Sequence, residues 1–138
     1  MKTNIDIKIV KNWAVDDIVE LYKAGGWWKE HYDKNSILSL IKGSFAFAVA
    51  VDKTNGKTVG MGRVLSDSVS DAYLQDIVIL PEYRKKGIGK KLILSLVDFC
   101  KEKGVTWIAL ISEPNQEQVY KKLGFKDMKN YTPMKFED

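Results

Sequence analysis

Residues 80–91 read Leu-Pro-Glu-Tyr-Arg-Lys-Lys-Gly-Ile-Gly-Lys-Lys, directly after the apolar run Ile77-Val78-Ile79 and directly before a long amphipathic stretch. A strand that ends in a basic, glycine-spaced turn and enters a helix is a place to hold a phosphate. The first N–H groups of a helix have no intrahelical partner, and the helix dipole puts partial positive charge on them. Gly87 and Gly89 carry no Cβ, so an anion can approach the backbone closely. Arg84, Lys85, Lys86, Lys90 and Lys91 add side-chain charge around the same turn. Two other phosphate loops fail on spacing. A P-loop needs a Ser or Thr after its lysine, and Lys91 follows Lys90. A dinucleotide-binding turn needs a Gly or Ala three residues after its second glycine, and Leu92 stands there.

A second motif lies downstream. Residues 115–125 read Asn-Gln-Glu-Gln-Val-Tyr-Lys-Lys-Leu-Gly-Phe. Asn115 is a good N-cap, Val119 and Leu123 fall on one helix face, and Gly124 is a natural residue to end the helix. Tyr120 offers a phenol with an ordinary pKa of about 10. By itself it reads as a half-buried aromatic packing the helix onto a sheet.

Together the two motifs carry a resemblance. Arg84-x-x-Gly87-x-Gly89, after Pro81-x-Tyr83 and a strand, resembles the acetyl-CoA loop of the GNAT N-acetyltransferase superfamily. Tyr120-Lys121-Lys122-Leu123-Gly124-Phe125 is similar to the Tyr-x-x-x-Gly-Phe signature near the end of such domains, and the order of the motifs is the family's.

Composition agrees with an enzyme of one domain, residues 1–138. The hydrophobic fraction is 45% and the charged fraction 29%, which is ordinary for a globular chain and speaks against disorder. No apolar run approaches a membrane span, and the polar start MKTNIDIKIVKNW lacks a signal-peptide core. Cys100 is the single cysteine and sits on the apolar side of its helix with Ile93, Leu96 and Val97, which fits core packing and a cytoplasmic location. One histidine, His31, cannot build a metal site. The net charge of +4 could suggest nucleic acid. Its densest cluster lies in the glycine loop, however, and no recognition-helix or aromatic-basic repeat runs along the chain.

Periodicity predicts alternating elements. Ile5, Ile7 and Ile9 alternate with polar residues as a strand, and Val15 to Ala24 is a helix stopped by Gly25-Gly26. Ser36 is expected to cap a short helix ending at Gly43. Phe45 to Val51 and Thr58 to Leu65 form a hairpin around Asn55-Gly56, a type I′ signal. Ala72 to Leu80 is a strand, Arg84 to Lys103 a long helix, Val105 to Ile111 a strand, and 115–123 the last helix. Phe125 to Phe136 is expected to close the domain as a strand pair. The order β-α-α-β-β-β-α-β-α-β-β is that of a GNAT-like acyl-CoA acyltransferase: an α/β (mixed α+β) sheet with helices on both faces. The long helix makes a right-handed crossover, so strands 72–80 and 105–111 run parallel.

The resemblance implies a chemistry. Acetyl-CoA is the co-substrate, its pyrophosphate on the turn of Arg84, Lys85, Lys86, Gly87, Ile88, Gly89 and Lys90, with Asn115 a further contact. The pantetheine arm runs along the backbone of Ile77, Val78 and Ile79, and Val78 N–H is the expected oxyanion donor. A neutral amine attacks the thioester directly, and Tyr120 protonates the leaving thiolate. Asp76, a carboxylate in an apolar strand, is either the proton acceptor or a structural group, with Asp71 and Glu113 as fallbacks for the first role. Trp27 and Trp28, with Tyr32, lie where the family builds one wall of its acceptor site, and adjacent tryptophans cannot share one helix face. The implied partners are acetyl-CoA and a small amine or peptide acceptor, with a homodimer as the candidate assembly and neither nucleic acid nor membrane. The competing reading is an acyl-CoA-binding sensor module without catalysis. Tyr120 favours the enzyme.

Overall fold

The structure, a computed structural model, describes residues 4–137. Five strands and four helices follow in chain order: β1 (Ile5–Ile9), α1 (Val15–Ala24), α2 (Ser36–Gly43), β2 (Ala46–Asp52), β3 (Lys57–Ser66), β4 (Asp71–Ile79), α3 (Ile88–Glu102), β5 (Trp107–Leu110) and α4 (Glu117–Lys122). A short 3-10 turn, Pro81–Tyr83, sits between β4 and α3. The strands form one sheet in the order β1-β2-β3-β4-β5. Neighbours are antiparallel except β4 and β5, which run parallel as the crossover requires. Among the described residues no helix is long and apolar enough to cross a membrane.

Helices cover both faces, and β2 shows how the sequence arranges it. All seven of its residues are buried. Ala46, Ala48 and Ala50 face α3 and pack with Ile88, Leu92, Ile93, Leu96 and Cys100. Phe47, Val49 and Val51 face α1 and α2 and pack with Ile18, Leu21, Ile37 and Ile41. Small residues on one side let α3 approach closely. Gly62 continues that effect on β3, where an added Cβ would meet Ile77 Cδ1 at 2.5 Å and Leu96 Cδ1 at 3.1 Å.

Three helices end in the same way. After α1, Gly26 has φ +78°; its N–H donates to Lys23 O, and Trp27 N–H donates to Tyr22 O, both at 3.0 Å. Gly104 repeats this after α3, with Val105 N–H on Cys100 O, and Gly124 after α4, with Phe125 N–H on Tyr120 O. This is the Schellman motif, in which a left-handed residue reverses the chain and brings the residue after it against one in the last turn. The three pairs so joined are Tyr22 with Trp27, Cys100 with Val105, and Tyr120 with Phe125.

Several expectations are corrected. The closing strand pair 125–136 does not form. A turn from Met128 to Tyr131 is present, with Asn130 at φ +69°, but Pro133 lacks a ladder donor and Met134 and Phe136 are almost fully exposed. The β2–β3 hairpin turns through four residues, Lys53 to Gly56. Only Gly56 has positive φ, and both Asn55 and Gly56 N–H donate to Asp52 O, so the turn is not type I′. Ser36 does not cap α2, since its hydroxyl donates to Asp33 O at 2.6 Å. The long helix starts at Ile88 and not Arg84, because Lys85 and Gly87 are left-handed.

The core on the α3 side fixes where the β4–α3 loop sits. Leu96→Ala, at a fully buried position, is expected to lower unfolding free energy by about 2–5 kcal/mol, as read by urea denaturation.

Candidate active site

The site begins with a missing strand partner. The parallel ladder between β4 and β5 runs only from Asp71↔Trp107 to Leu74↔Leu110. β5 then stops, while β4 continues to Ile79, so Gln75 to Ile79 has no neighbour on that side. A bulge sits where the strands part. Register passes from Arg63↔Gln75 to Met61↔Val78, leaving Asp76 and Ile77 opposite Gly62 alone. Asp76 has φ +59°, a conformation that short polar side chains tolerate best after glycine.

Asp76 is held tightly there. Its Oδ2 accepts from Arg63 Nε at 2.7 Å and from the Tyr22 hydroxyl at 2.8 Å. Both charged side chains are largely buried, at 15% and 23% exposure for Arg63 and Asp76. Burial first, and the Asp76 carboxylate second, push the Tyr22 phenol far above its ordinary range. Composition along the strands carried a signal for this network. Within the paired runs 59–65 and 72–79, Arg63 and Asp76 are the charged residues, with Gln75 as a polar neighbour.

Bond alternation decides which β4 backbone groups face the gap. Leu80 N–H donates to Val59 O at 2.8 Å. With Gly60↔Ile79 and Met61↔Val78 as the next pairs, Val78 turns its N–H and C=O toward β3 while Ile79, and Ile77 before it, turn theirs away. The Ile79 carbonyl confirms the direction, because it accepts from Arg84 Nε at 2.9 Å. Val78 is therefore not the oxyanion donor expected from the sequence. Its side chain is buried against α1 and its amide belongs to the ladder. Ile77 and Ile79 are the residues with backbone open to the gap.

Beyond β4 the loop presents a row of donors. No acceptor is recorded for the amides of residues 85–90 among the described residues; the first helical bond is Lys91 N–H to Gly87 O at 3.2 Å. Lys85 and Gly87 are both left-handed, and Gly87 directly precedes helical Ile88, a left-to-right-handed step of the kind that curls successive N–H groups into an anion-binding hollow. Lys85, Lys86, Gly87 and Lys90 are exposed, whereas the Ile88 side chain is in the core and offers only its N–H. Lys86 lies over the Tyr83 ring at 5.5 Å. Lys91 is spent elsewhere, its Nζ donating to Ile5 O at 2.8 Å.

Between the parted strands lies a cleft of about 290 Å³ lined by Trp27, Tyr73, Asp76, Ile111, Glu113 and Tyr120 with the neighbouring strand residues. Two of its walls are placed by helix ends. The motif after α1 sets Trp27 edge-on to Tyr22 at 6.2 Å, with Gly25 beneath its ring, where a Cβ would come within 2.6 Å. The motif after α4 holds Tyr120 against Phe125 at 5.8 Å. Burial, then the nearby Glu113 charge, push the Tyr120 phenol above its ordinary range, so it stays protonated at neutral pH. Trp28 and Tyr32 do not join this wall. They meet each other edge-on at 5.5 Å, with Tyr32 on His31 at 4.8 Å. Asn115 is not the cap of α4, which Gln116 precedes. Pro114 and left-handed Asn115 instead form the middle of a turn closed by Gln116 N–H on Glu113 O at 3.2 Å. Tyr73 and Tyr22 are site residues that the sequence pattern did not single out. Tyr22 is buried and Tyr73 exposed, and neither stands apart from other core or surface aromatics until the gap is seen.

The family model described as acetyltransferase (GNAT) domain matches residues 22–135. The uncharacterized N-acetyltransferase ycf52 of Pyropia yezoensis is 32% identical over 117 residues, covering 83% of this chain and 66% of that protein. The chain spans 50–66% of the length of the first such relatives. Among solved structures, the GNAT family acetyltransferase SP0256 of Streptococcus pneumoniae superposes with a TM-score of 0.81 at 25% identity, over 97% of this chain and 98% of that one. AAC(6′)-Iy, in complex with a bisubstrate analogue of CoA and acetylneamine, superposes at 0.75 and 20% identity, over 99% and 100% of the two chains, a likeness of fold.

The Tyr22 phenol has a testable pH signature. Its folded pKa is raised, so its contribution to stability is complete below the unfolded value of about 10 and is lost as pH rises beyond it. The Tyr22 contribution should fall by about 1.4 kcal/mol for each pH unit above that point, and Tyr22→Phe should remove that part of the loss. Tyr120 shifts in the same direction, so the measurement is the difference between the two proteins in urea melts at neutral and strongly alkaline pH.

Proposed function

The chain belongs to the GNAT acetyltransferase family, and from that membership we propose that it moves an acetyl group from acetyl-CoA to a primary amine of a small molecule or peptide, by direct attack. The observation that carries this reading is the alignment of three features along one path. They are the row of free amides at 85–90, the unpaired side of β4 at Ile77 and Ile79, and the protonated Tyr120 at the cleft.

The residues fit the co-substrate. A pyrophosphate suits the hollow of amides from Lys85 to Lys90, with Lys85, Lys86 and Lys90 around it and the Ile88 side chain locking the loop to the core. Arg84, bonded to Ile79 O, braces the loop against the strand end and leaves the rest of its guanidinium for phosphate. An extended amide-bearing arm can pair with the free backbone of Ile79, and the Ile77 N–H can stabilise negative charge on the acyl oxygen, a donation worth a few kcal/mol. Asn115 lies in the adjoining turn and stands as a further contact of the co-substrate. Trp27 forms the acceptor wall. Trp28 and Tyr32 stay beside it as an aromatic cluster that a larger acceptor could reach.

The amine nitrogen attacks the thioester carbon, the C–N bond forms, the C–S bond breaks, and the sulfur takes the phenolic proton of Tyr120. Asp76 has both recorded bonds on one oxygen, to Arg63 and Tyr22, and that favours its structural role over proton acceptance. An acyl-CoA sensor without catalysis would need the loop but not a protonated phenol aimed into a cleft, which weighs against it. Release of free thiol from acetyl-CoA across a panel of amines tests the proposal.

Two substitutions separate its parts. Gly87 holds φ +82° with nothing around it, so Gly87→Val strains the turn without a clash in the core, and it should lower CoA affinity by at least about tenfold, measured by calorimetry, in a chain that still folds. Unchanged affinity would remove the loop from the site. Tyr120→Phe keeps the ring contact with Phe125 that ends α4 and removes only the hydroxyl. Its kcat should fall by about 10²-fold with little change in the Kd for CoA, and full turnover would make Tyr120 purely structural.

A further inference from the structure

Two carboxylates line the cleft, and only one is already engaged. Asp76 is held by Arg63 and Tyr22 on the β4 side. Glu113 stands on the opposite side, just past the end of β5, as the first residue of the Pro114-Asn115 turn. The turn fixes its backbone, because its carbonyl accepts from Gln116 N–H at 3.2 Å and from the Ser112 hydroxyl at 2.9 Å. Among the described residues its carboxylate has no recorded hydrogen bond or ion pair, and the residue is exposed. The titratable groups that line the cleft with it are Tyr120 on α4 and Tyr73 and Asp76 on β4, and Asp76 is paired to Arg63 of β3. Glu113 is thus the one uncommitted proton acceptor at the cleft, on the same side as the protonated phenol.

We propose that Glu113 takes the protons of the attacking amine, directly or through a water, so that base and acid both stand on the β5–α4 side of the cleft. The idea rests on the acetyl-transfer reading above. The incoming ammonium first gives a proton to Glu113, which passes it to solvent. The second proton, released as the C–N bond forms, goes to the same carboxylate, while the sulfur takes the proton of Tyr120. Glu113 then returns its proton to the Tyr120 phenolate through water. The products are an amide, a thiol and one proton in solution. The influence of the Glu113 charge on the Tyr120 phenol agrees with the two groups being neighbours.

Glu113→Gln in the whole chain, assayed for thiol release with acetyl-CoA and the best amine of the panel from about pH 6 to pH 10, is the test. Its kcat/KM at neutral pH should fall by about 10²-fold, with CoA affinity and melting temperature unchanged because the side chain is exposed. The deficit should narrow toward the alkaline end of that range, where hydroxide can replace the missing base, a narrowing that a merely structural role would not produce. An active wild type beside a Glu113→Gln protein with kcat/KM within about twofold across the range would overturn the assignment while leaving acetyl transfer intact. A loss of that size in Asp76→Asn and not in Glu113→Gln would move the role to Asp76. A wild type that releases thiol with no amine would bring down the acetyl-transfer reading itself.

Discussion

The contact between Arg63 and Asp76, at 2.7 Å, holds open the middle of the molecule. Asp76 adopts a left-handed conformation inside a strand, at a local cost that its two partners offset. Arg63 reaches it from β3 and Tyr22 from α1, so a sheet strand and a covering helix both fix the bulge. Past that point β4 keeps its pairing to β3 but loses its neighbour on the other side. The unpaired backbone, the cleft and the path to the basic loop all follow from that parting. Buried ion pairs contribute little net stability, because desolvation offsets much of the attraction. The value of this one lies in the shape it maintains.

Helix ends supply the rest of the positioning. A left-handed glycine after α1 places Trp27 against Tyr22, and one after α4 places Phe125 against Tyr120. The Tyr-x-x-x-Gly-Phe pattern is thereby given a physical meaning. Its tyrosine and phenylalanine are the two residues that a Schellman ending brings together, and its glycine is the residue that can take φ +107°. The phenol is aimed from the last turn of a short helix whose termination is written in the same six residues.

What could be read beforehand was local. The glycine spacing and charge of 84–90, the helical periods of α1 and α3, and the ending at Gly124 each depend on neighbours a few residues apart, and these were legible. The bulge was not, because it depends on Arg63 and Tyr22 meeting Asp76 across 13 and 54 positions of sequence. The Val78 expectation failed for the same reason: a shift of one residue reverses which backbone groups face a gap. Asn115 looked like a cap by type, but Pro114 before it favoured a turn instead. The strand pair expected over 125–136 does not form, where Pro133 interrupts the chain and Met134 and Phe136 have nothing to pack against.

The stacking of Trp27 on Gly25 has a consequence for how such a protein can diverge. The ring occupies the space of a missing methyl group. A single-base change that turns this glycine into alanine would push the indole sideways without adding or removing any atom of the cleft lining itself. The width of the opening can thus drift by mutation at a position no ligand touches, and selection on the molecules admitted would act on a residue that a list of lining residues leaves out.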